Sequence, residues 1–456
     1  MSNYKTILFR ADASSTIGTG HIMRDLVLAK QYPNDKIYFA TRDLEGNLND
    51  KIKESGYEVI TLKSNDIDKL DKIIKKLDID LLIIDHYEID YDFEKKLKTQ
   101  NSKLKILSFD DTYEKHYCDI LLNHNIYADK ERYRGLVPEF CELRCGEKYT
   151  LLREEFYKAK KQLKTQNSKL KIFLAMGGSD SANLNIPILE ILKEFENLNV
   201  DVVTTTANQK LKELESYCKD KKWVKLHVNS KTIAKLMRES DFGIITPSVT
   251  ANEAYFMKLA FIAIKTAHNQ KEMVEFLKMN RYGVFSDLTL LKKYLKSILR
   301  IQLKNFSSLL LSEQKMILKW RNNPSVRKWM FNQDIIDLEN HIKYISSLKD
   351  NKDKIYFLVK QFSNYLGVID FTQITTKSAY IGLYSNPDLK SVGAILMKNI
   401  IEYGFGKLNV ENLLSEVFSD NQKAISLYKK FNFKEIDRKL VDNREVILME
   451  LNNENR

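Results

Sequence analysis

TILFRADASSTIGTGHIMRDLVLAKQY, residues 6–32, contains the elements that decide the fold class. TILFRAD is an apolar run with the length of a buried β-strand, and RDLVLAKQY has the spacing of an amphipathic helix. Two glycines in the loop between them, Gly18 and Gly20, allow a tight turn and the close approach of a ligand to the backbone. A strand, a glycine loop and a helix in this order predict a parallel α/β sheet.

The alternation of strands and helices continues to about residue 300. Further strands are predicted at KIYFA, YEVITL, DLLIIDHY, KLKILSFDD and CDILLN, and a second series at KIFLAMGGSD, VDVVTTT, KLHVN, DFGIITPS and AFIAIKT. The helical segment EEFYKAKKQLKTQ lies between the two series. The pattern predicts two Rossmann-like domains, residues 1–155 and 156–300, with ligands at the carboxyl ends of their strands.

The pattern changes after about residue 300. LKWRNNPSVRKWMF is helical, and IYFLVKQFSNYLGVIDFTQI is typical of two antiparallel strands joined at a Ser-Asn turn. Two strands and two helices follow, ending in QKAISLYKKF. Residues 301–456 are therefore predicted to form a separate α+β domain.

Composition and charge exclude several classes of function. The net charge is +12, but the lysines are scattered over predicted helix faces, which argues against a nucleic-acid-binding protein. No apolar stretch is long enough to span a membrane and no signal-peptide pattern is present, so a cytoplasmic protein without membrane contact is expected. Four irregularly spaced cysteines form no zinc motif, and no metal is expected.

His21 is the first candidate catalytic residue. It falls at the N-terminus of the helix after the glycine loop, where the helix dipole disfavours a protonated imidazole, so a neutral ring that acts as a general base is expected. The alternative is that His21 only caps the helix and that the glycines only form a turn, and spacing alone does not separate the two. Asp12, in the same loop, would orient the imidazole or cap the turn.

Three polar loops follow strands of the second predicted domain. The first would offer backbone N–H groups to a diphosphate, the second carries hydroxyls and a carboxylate suited to a ribose, and the third carries amides suited to sugar hydroxyls. Glu253, in the second loop, could instead satisfy the N-terminus of its own helix. The residues are Gly177, Gly178 and Ser179, then Ser248, Thr250, Asn252 and Glu253, then Asn269 and Gln270.

These motifs occur in one order: FRADAS, IGTGHIMR, DHY, FDD, CDILLNHN, CGEKYTLLREEF, AMGGSD, SVTANEA and HNQ. Together they resemble the UDP-sugar hydrolases of pseudaminic acid synthesis, which have the glycosyltransferase-B type of fold. The resemblance covers about residues 1–290. It implies that water attacks the anomeric carbon with inversion, that His21 is the base, that Gly18, Gly20 and Arg24 contact the substrate, and that the three loops bind UDP.

A second constellation lies near the C-terminus. SDNQKAISLYKKFNF has the form N-x-x-A-x-x-x-Y, with Asn421 starting a helix and Tyr428 two turns further on. NPDLKSVGAILMK would place backbone N–H groups at a helix N-terminus, although Ser391 stands where a glycine is usual. On spacing alone, Tyr428 would be a buried aromatic residue of an amphipathic helix.

The wider segment, about residues 305–440, resembles the GNAT-type N-acetyltransferase of the same pathway. The resemblance implies acetyl-CoA as co-substrate, a UDP-linked amino sugar as acceptor, Tyr428 as general acid for the thiolate and Asn421 at the pantetheine. Glu416 would relay a proton from the amine, and Arg321 and His341 would contact the nucleotide sugar. The pyrophosphate of acetyl-CoA would lie on the backbone of Leu389, Lys390, Ser391, Val392, Gly393 and Ala394.

The sequence therefore predicts a bifunctional enzyme. Acetylation would come first, because the acetyltransferase binds the UDP group that the hydrolase removes, and fusion would raise the local concentration of the intermediate. Association with other enzymes of the pathway is a further expectation. Two alternatives stay open: a glycosyltransferase-B glycosyltransferase fused to an N-acetyltransferase, and a nucleotide-sugar-binding scaffold without activity.

Overall fold

The computed structural model describes residues 5–14, 16–163 and 168–455. Contacts divide the chain into two units. The first unit contains Met1–Leu163, Ser230–Arg238 and Gly243–Val284, and the second contains Lys164–Asn229, Glu239–Phe242 and Phe285–Arg456. The domain boundaries expected at residues 155 and 300 stay predictions.

A seven-stranded parallel sheet occupies the N-terminal part of the first unit. Its strands are β1 Thr6–Ala11, β2 Lys36–Arg42, β3 Glu58–Leu62, β4 Leu81–Asp85, β5 Lys105–Phe109, β6 Ile120–Asn123 and β7 Glu142–Cys145. The helices are α1 Gly20–Ala29, α2 Asn49–Glu54, α3 Ile67–Leu77, α4 Tyr91–Gln100 and α5 Glu154–Lys160. The strand order is β3-β2-β1-β4-β5-β6-β7, with every neighbouring pair parallel. The order reverses between β1 and β4, and ligands bind at such a point in open parallel sheets.

The apolar run in β1 explains why this sheet has two buried faces. Ile7 and Phe9 pack into one core, and Leu8, which points to the opposite face, packs into another. A strand buried on both faces reads as a continuous apolar run, as in parallel sheets covered by helices. The predicted α/β class with parallel strands is confirmed.

The middle of the chain contains shorter elements in the predicted alternation. The strands are β8 Leu170–Ala175, β9 Leu198–Thr204, β10 Val224–Val228, β11 Phe242–Ile245, β12 Phe261–Ile264 and β13 Gly283–Phe285. The helices are α6 Asn185–Leu192, α7 Leu211–Cys218, α8 Ile233–Glu239, α9 Val249–Phe256, α10 Lys271–Met279 and α11 Leu288–Leu299. In the second unit β9 pairs in parallel with β8 and β10, and in the first unit β11 pairs in parallel with β12. The predicted helix EEFYKAKKQLKTQ ends at Lys160, and residues 164–167 of that prediction lie outside the described residues.

The C-terminal part of the second unit has the predicted α+β pattern. Its strands are β14 Ile301–Asn305, β15 Lys354–Gln361, β16 Asn364–Thr372, β17 Ser378–Ser385, β18 Asn412–Phe418, β19 Lys434–Val441 and β20 Arg444–Asn452. Its helices are α12 Leu311–Asn322, α13 Pro324–Arg327, α14 Leu338–Ser347, α15 Gly393–Tyr403 and α16 Gln422–Lys430. The sheet order is β14-β15-β16-β17-β18-β20-β19, and each pair is antiparallel except β17 with β18.

The parallel pair β17 and β18 separates early. The two strands pair at three positions only, from Ser378 with Asn412 to Tyr380 with Leu414. Both strands continue beyond that point without pairing to each other, so the sheet opens toward their carboxyl ends. The opening exposes backbone groups to a ligand in the middle of the sheet.

Within the part of the chain that the structure describes, none of the helices combines the length and the hydropathy needed to cross a bilayer.

Candidate active sites

The glycine loop between β1 and α1 forms the predicted tight turn. The N–H of Gly18 donates to the carbonyl oxygen of Ser14 at 2.9 Å, and the φ of Gly18 is +87°, a conformation that strains any residue with a side chain. Gly20 begins α1. A Cβ atom at either glycine would meet no atom within 4 Å, so the loop leaves open space in front of its backbone.

His21, the second residue of α1, lies beside the end of β4. Its Nδ1 donates a hydrogen bond to Oδ1 of Asp85 at 2.7 Å, since an ionised carboxylate can only accept. Its other ring nitrogen, Nε2, forms no hydrogen bond with any described residue. His21 lies on the helix that follows β1, and Asp85 ends β4, and the order of the sheet reverses between these two strands. His21 therefore offers one ring nitrogen for proton transfer at the place where a ligand is expected.

Asp85 reverses the predicted protonation of His21. Burial lowers the pKa of His21, but the hydrogen bond and the charge of Asp85 outweigh burial, and the pKa lies above its ordinary value of 6.5. The expectation that the helix N-terminus keeps this imidazole uncharged is therefore wrong in direction. The helix position was correct, but the sequence does not reveal a carboxylate 64 residues away that touches the ring.

Arg24, one turn after His21 on α1, forms ion pairs with two carboxylates at the ends of β4 and β5. It donates to Asp85 through Nε at 2.5 Å and through Nη2, and to Oδ2 of Asp111 through Nη1 at 3.1 Å. Burial raises the pKa of Asp85, but Arg24 and His21 lower it further, so this carboxylate stays ionised. A direct contact of Arg24 with the substrate stays a prediction.

Tyr87 and Asp111 also belong to this site, although no role is predicted for them from the sequence. The hydroxyl of Tyr87 donates to Oδ1 of Asp111 at 3.0 Å, and its ring meets the His21 ring edge-on, with 4.9 Å between centroids. Each residue lies two positions after the end of its strand, Tyr87 after β4 in the motif DHY and Asp111 after the neighbouring β5 in the motif FDD. Polar residues just after adjacent parallel strands are the signal that could have identified them.

Asp12 does not contact His21, and its predicted role as the residue that orients the imidazole is corrected. Its carboxylate accepts from Arg10 at 2.7 Å, from Nε of Arg42 at 2.6 Å and from Nε2 of His86 at 2.8 Å. Burial raises the pKa of Asp12, but these donors outweigh it and hold the pKa well below its usual range. Asp12 is a buried structural anion between β1 and β2.

Asn252, near the start of α9, is also corrected. It is buried, its Nδ2 donates to Oδ1 of Asn125 at 3.0 Å, and its Oδ1 accepts from the N–H of Ile126 at 3.2 Å. Both ends of the amide therefore hold the loop after β6, and the side chain, at 1% exposure, does not reach the surface where a substrate would lie. Glu253 accepts from Arg153 at 3.1 Å, and burial, only partly offset by Arg153, raises its pKa to about 7.

The remaining polar residues of these loops differ in availability. Ser248 and Thr250 are half-buried at the start of α9, and Asn269 is exposed; their contacts with UDP stay predictions. Gln270 is half-buried, its Oε1 accepts from the N–H of Thr266 at 2.8 Å and its Nε2 donates to the hydroxyl of Thr266 at 3.1 Å, and its contact with UDP stays a prediction. The Gln270 amide stabilises its own turn.

The glycine pair of the second unit follows β8. Gly177 has a φ of +80°, and the carbonyl of Gly178 accepts from the hydroxyl of Thr205 at 2.9 Å. A Cβ atom at Gly178 would be 3.1 Å from the Thr205 side chain, so the two loops pack closely. The N–H groups of Gly178 and Ser179 donate to no residue in the described part of the chain, which leaves them available to an anion.

The loop before α15, where acetyl-CoA is predicted to bind, contains a residue with a positive φ. Ser391 has a φ of +64°, so this position adopts the left-handed conformation that favours glycine. The N–H groups of residues 390–394 form no backbone hydrogen bond with described residues. Leu389 is corrected, because its N–H donates to the carbonyl of Asn386 at 3.0 Å and its side chain is buried.

Asn421 directly precedes α16 and Tyr428 lies on it, as predicted. Oδ1 of Asn421 caps the helix by accepting from the N–H of Ala424 at 3.2 Å. Tyr428 is buried in the core and packs edge-on against Phe433. Burial raises the pKa of Tyr428 to about 12, so the hydroxyl keeps its proton at neutral pH, as a general acid must.

Glu416 does not share a face of the sheet with Tyr428, and its predicted role as a proton relay stays a prediction. Leu413 and Val417 of β18 pack in the same core as Tyr428, and side chains alternate along a strand, so Glu416 points to the opposite face. Its Oε1 accepts from Lys439 of β19 at 2.8 Å.

Arg321 and His341 lie on α12 and α14. Nη2 of Arg321 donates to the carbonyl of Asn332 at 2.6 Å, whereas its Nη1 is buried without any hydrogen-bond partner in the described structure. An unpaired buried guanidinium nitrogen suits an anionic ligand. Nε2 of His341 donates to the carbonyl of Gln314 at 3.1 Å, and burial lowers its pKa. The substrate contacts of both residues stay predictions.

Comparison with known proteins assigns the N-terminal and C-terminal parts of the chain to two different groups of proteins. A family model described as "Acetyltransferase (GNAT) family" matches residues 317–433. The UDP-2,4-diacetamido-2,4,6-trideoxy-β-L-altropyranose hydrolase of Campylobacter jejuni is 44% identical over 278 residues, which are 61% of this chain and 98% of that protein. Acetyltransferase PseH of the same organism is 47% identical over 133 residues, 29% of this chain and 84% of that protein. A crystal structure of Campylobacter jejuni PseH with acetyl coenzyme A is 38% identical and covers 34% of this chain and 99% of that chain, with a TM-score of 0.29.

Together, the family model and the two curated relatives define a hydrolase joined to a GNAT acetyltransferase. The chain belongs to the family of UDP-2,4-diacetamido-2,4,6-trideoxy-β-L-altropyranose hydrolases over its N-terminal part and to the PseH acetyltransferase family over its C-terminal part. An uncharacterized protein of Methanocaldococcus jannaschii is 27% identical over 470 residues, 93% of this chain and 95% of its own. It therefore matches both parts in one chain.

Proposed function

We propose that this chain acetylates a UDP-linked amino sugar with acetyl-CoA and then removes UDP from the product by hydrolysis. The acceptor of the first reaction is the 4-amino group of UDP-4-amino-4,6-dideoxy-β-L-AltNAc. The substrate of the second is UDP-2,4-diacetamido-2,4,6-trideoxy-β-L-altropyranose. Both names come from the family membership of the two parts.

The observation that carries the hydrolase proposal is the hydrogen bond between His21 and Asp85. Nε2 of His21 takes a proton from water, and the water oxygen attacks the anomeric carbon opposite the diphosphate. The bond from that carbon to the diphosphate oxygen breaks, and UDP leaves with the electron pair. Asp85 holds the ring in the tautomer with Nε2 unprotonated and stabilises the imidazolium that forms.

UDP is a good leaving group, so donors to its phosphates and a shaped site complete the requirements. The N–H groups of Gly178 and Ser179 are the proposed donors. The glycosyltransferase-B type of organisation, with two Rossmann-like domains, is part of this proposal. Inversion at the anomeric carbon is expected, because the attack is a single displacement.

In the acetyltransferase part, Tyr428 is the proposed general acid. The amine attacks the thioester carbonyl, the carbon–sulfur bond breaks, and the hydroxyl of Tyr428 gives its proton to the departing sulfur. N–H groups of residues 390–394 at the start of α15 are the proposed donors to the pyrophosphate of acetyl-CoA.

The experiment that tests the proposal uses the purified chain, the 4-amino UDP-sugar and acetyl-CoA in water enriched in oxygen-18, without any acceptor sugar. The expected products are CoA thiol, unlabelled UDP, and the free diacetamido sugar with one labelled oxygen. Without acetyl-CoA, no UDP is expected. A glycosyltransferase would leave the acetylated UDP-sugar intact until an acceptor is added, and a scaffold would bind without turnover.

A further inference from the structure

Asp370, in the middle of β16, is a carboxylate that neither the motifs nor the proposed mechanism uses. It stands opposite Tyr356 of β15 and Gly382 of β17 in the sheet. A Cβ atom at Gly382 would lie 2.4 Å from Oδ2 of Asp370. The missing side chain at residue 382 is therefore what makes room for this carboxylate.

The carboxylate of Asp370 has no partner within the protein. No described residue donates a hydrogen bond to it or pairs with its charge, and burial raises its pKa to about 7. A buried ionisable group without a partner costs free energy of folding, and such groups are concentrated at functional sites. Partly exposed and without a partner, Asp370 is open to a ligand.

The groups around Asp370 suit a protonated amine. Tyr344 of α14 and Tyr356 meet edge to face with 5.8 Å between ring centroids. Burial and the negative charge of Asp370 raise the pKa of Tyr356 and of Tyr384. A carboxylate beside aromatic rings binds an ammonium group by charge and by cation–π attraction.

Arg321 gives the same region an anion-binding end. Burial and Asp370 raise the pKa of Tyr384, and the guanidinium of Arg321 lowers it, so both charges influence the Tyr384 hydroxyl. Nη1 of Arg321 is buried without a partner among the described residues. A ligand with an anionic group at one end and an amine at the other would match both. A sugar that carries a nucleoside diphosphate and an amino group has that distribution of charge.

Asp370 is also close to the opening of the sheet. Its neighbour Gly382 lies on the part of β17 that no longer pairs with β18. Burial and, to a smaller extent, the negative charge of Asp370 raise the pKa of Tyr428, the proposed acid. Ile369 and Phe371 pack in the core that contains Tyr428, so Asp370 points to the opposite face of the sheet, with Gly382 beside it. A base and an acid that approach from the two faces next to an opening are the groups that acyl transfer to an amine requires.

We propose that Asp370 binds the protonated amino group of the acceptor sugar and is the general base of acetyl transfer. This inference rests on the proposed acetyltransferase function. Asp370 takes one proton from the ammonium, and the freed electron pair forms the bond from nitrogen to the thioester carbon. The carbon–sulfur bond breaks, and the sulfur takes the proton of Tyr428. The second nitrogen proton restores Tyr428, and Asp370 releases its proton to water.

The test compares the wild-type chain with Asp370→Asn, using the 4-amino UDP-sugar and acetyl-CoA across pH 5.5–9. In the wild type, kcat/KM rises with pH as Asp370 loses its proton. In Asp370→Asn, kcat falls about 100-fold or more and this rise is lost. The other titratable groups facing Asp370 are Tyr344, Tyr356, Tyr384 and Tyr428, whose pKa values burial raises above 10, and Arg321, which stays charged.

Two further variants keep the test decisive. Gly382→Ala retains the carboxylate but displaces it, so kcat should fall here as well, and this variant answers the question if Asp370→Asn does not fold. Asp442→Asn, the same change at an exposed turn of the same domain, should leave acetylation unchanged. Thermal unfolding of each variant and its binding of acetyl-CoA report whether the acetyltransferase domain is folded.

The inference would be overturned if Asp370→Asn had the same kcat and the same pH profile as the wild type. A higher KM with unchanged kcat and pH profile would overturn the role as base. Failure of the proposed function itself is distinct, because the wild-type chain would then not acetylate the amine at all.

Discussion

Nδ1 of His21 donates to Oδ1 of Asp85 at 2.7 Å, although 64 residues separate them in the sequence. The parallel register of β1 and β4, which pairs Ala11 with Asp85, places the end of β4 beside the glycine loop. A carboxylate at this position fixes the tautomer of the imidazole and strengthens it as a base. The strand order of the sheet thus assembles the proposed hydrolytic base.

The first prediction concerns Asp85→Asn. UDP release from the diacetamido UDP-sugar should slow about 100-fold or more, because a neutral amide no longer stabilises the imidazolium. In the wild type, kcat/KM should fall as pH drops through the raised pKa of His21, because the base must be unprotonated. In Asp85→Asn this fall should move to lower pH. The measurement is UDP release against pH, and an unchanged pH profile would contradict the assignment.

The second prediction separates the two glycines of the loop. Gly18→Ala should lower the free energy of unfolding by about 1 kcal/mol or more, because a φ of +87° strains alanine. Gly20→Ala adds the same methyl group at the start of α1, where no atom lies within 4 Å, and should leave stability unchanged. If a ligand approaches Gly20, this variant should still raise the KM for the UDP-sugar. Denaturant unfolding and steady-state kinetics provide the two readouts.

The third prediction tests the structural role of Asp12. Asp12→Asn should lower the free energy of unfolding by about 3–5 kcal/mol at neutral pH, because it leaves the buried guanidinium of Arg10 without its counter-ion. The folded-state pKa of Asp12 lies below its ordinary 3.8, so its contribution exists above that pH and disappears as pH falls. Asp50→Asn, at a surface ion pair with Lys53, should change stability by about 0–1 kcal/mol. Equal losses in the two variants would refute this role.

The fourth prediction addresses the acetyltransferase acid. Tyr428→Phe should slow the release of CoA thiol about 100-fold, because the departing sulfur loses its proton donor. Hydrolysis of the diacetamido UDP-sugar should continue at the wild-type rate. Tyr403→Phe on α15 removes the same atom from another tyrosine of this domain and should leave both rates unchanged. Equal effects of the two substitutions would mean that the Tyr428 hydroxyl has no special role.

The sequence was sufficient for the fold class because its signals are local. Continuous apolar runs such as TILFRA, alternating with amphipathic helices, predict parallel strands without any knowledge of contacts. The turn at Gly18 and the helix that begins before His21 were predicted for the same reason. The opening between β17 and β18 was not predictable, because it depends on where pairing between distant strands ends.

The site was only partly predictable, because side-chain partners depend on strand order. His21 was identified from its loop, but Asp85 and Asp12 are both polar residues at the ends of neighbouring strands, and their partners differ. Asn252 and Gln270 looked available for a ligand, yet their amides are used within the protein. No role is predicted for Asp370 from the sequence, and only the register that places it beside Gly382 identifies it.

One complementation experiment tests the central claim that two separable active sites act in sequence on this chain. Given the 4-amino UDP-sugar and acetyl-CoA, His21→Ala should accumulate the diacetamido UDP-sugar with UDP attached, and Tyr428→Phe should leave the amino sugar nearly unchanged. Mixing the two variants should restore release of UDP and the free diacetamido sugar. Release of UDP by His21→Ala alone at the wild-type rate would contradict the account.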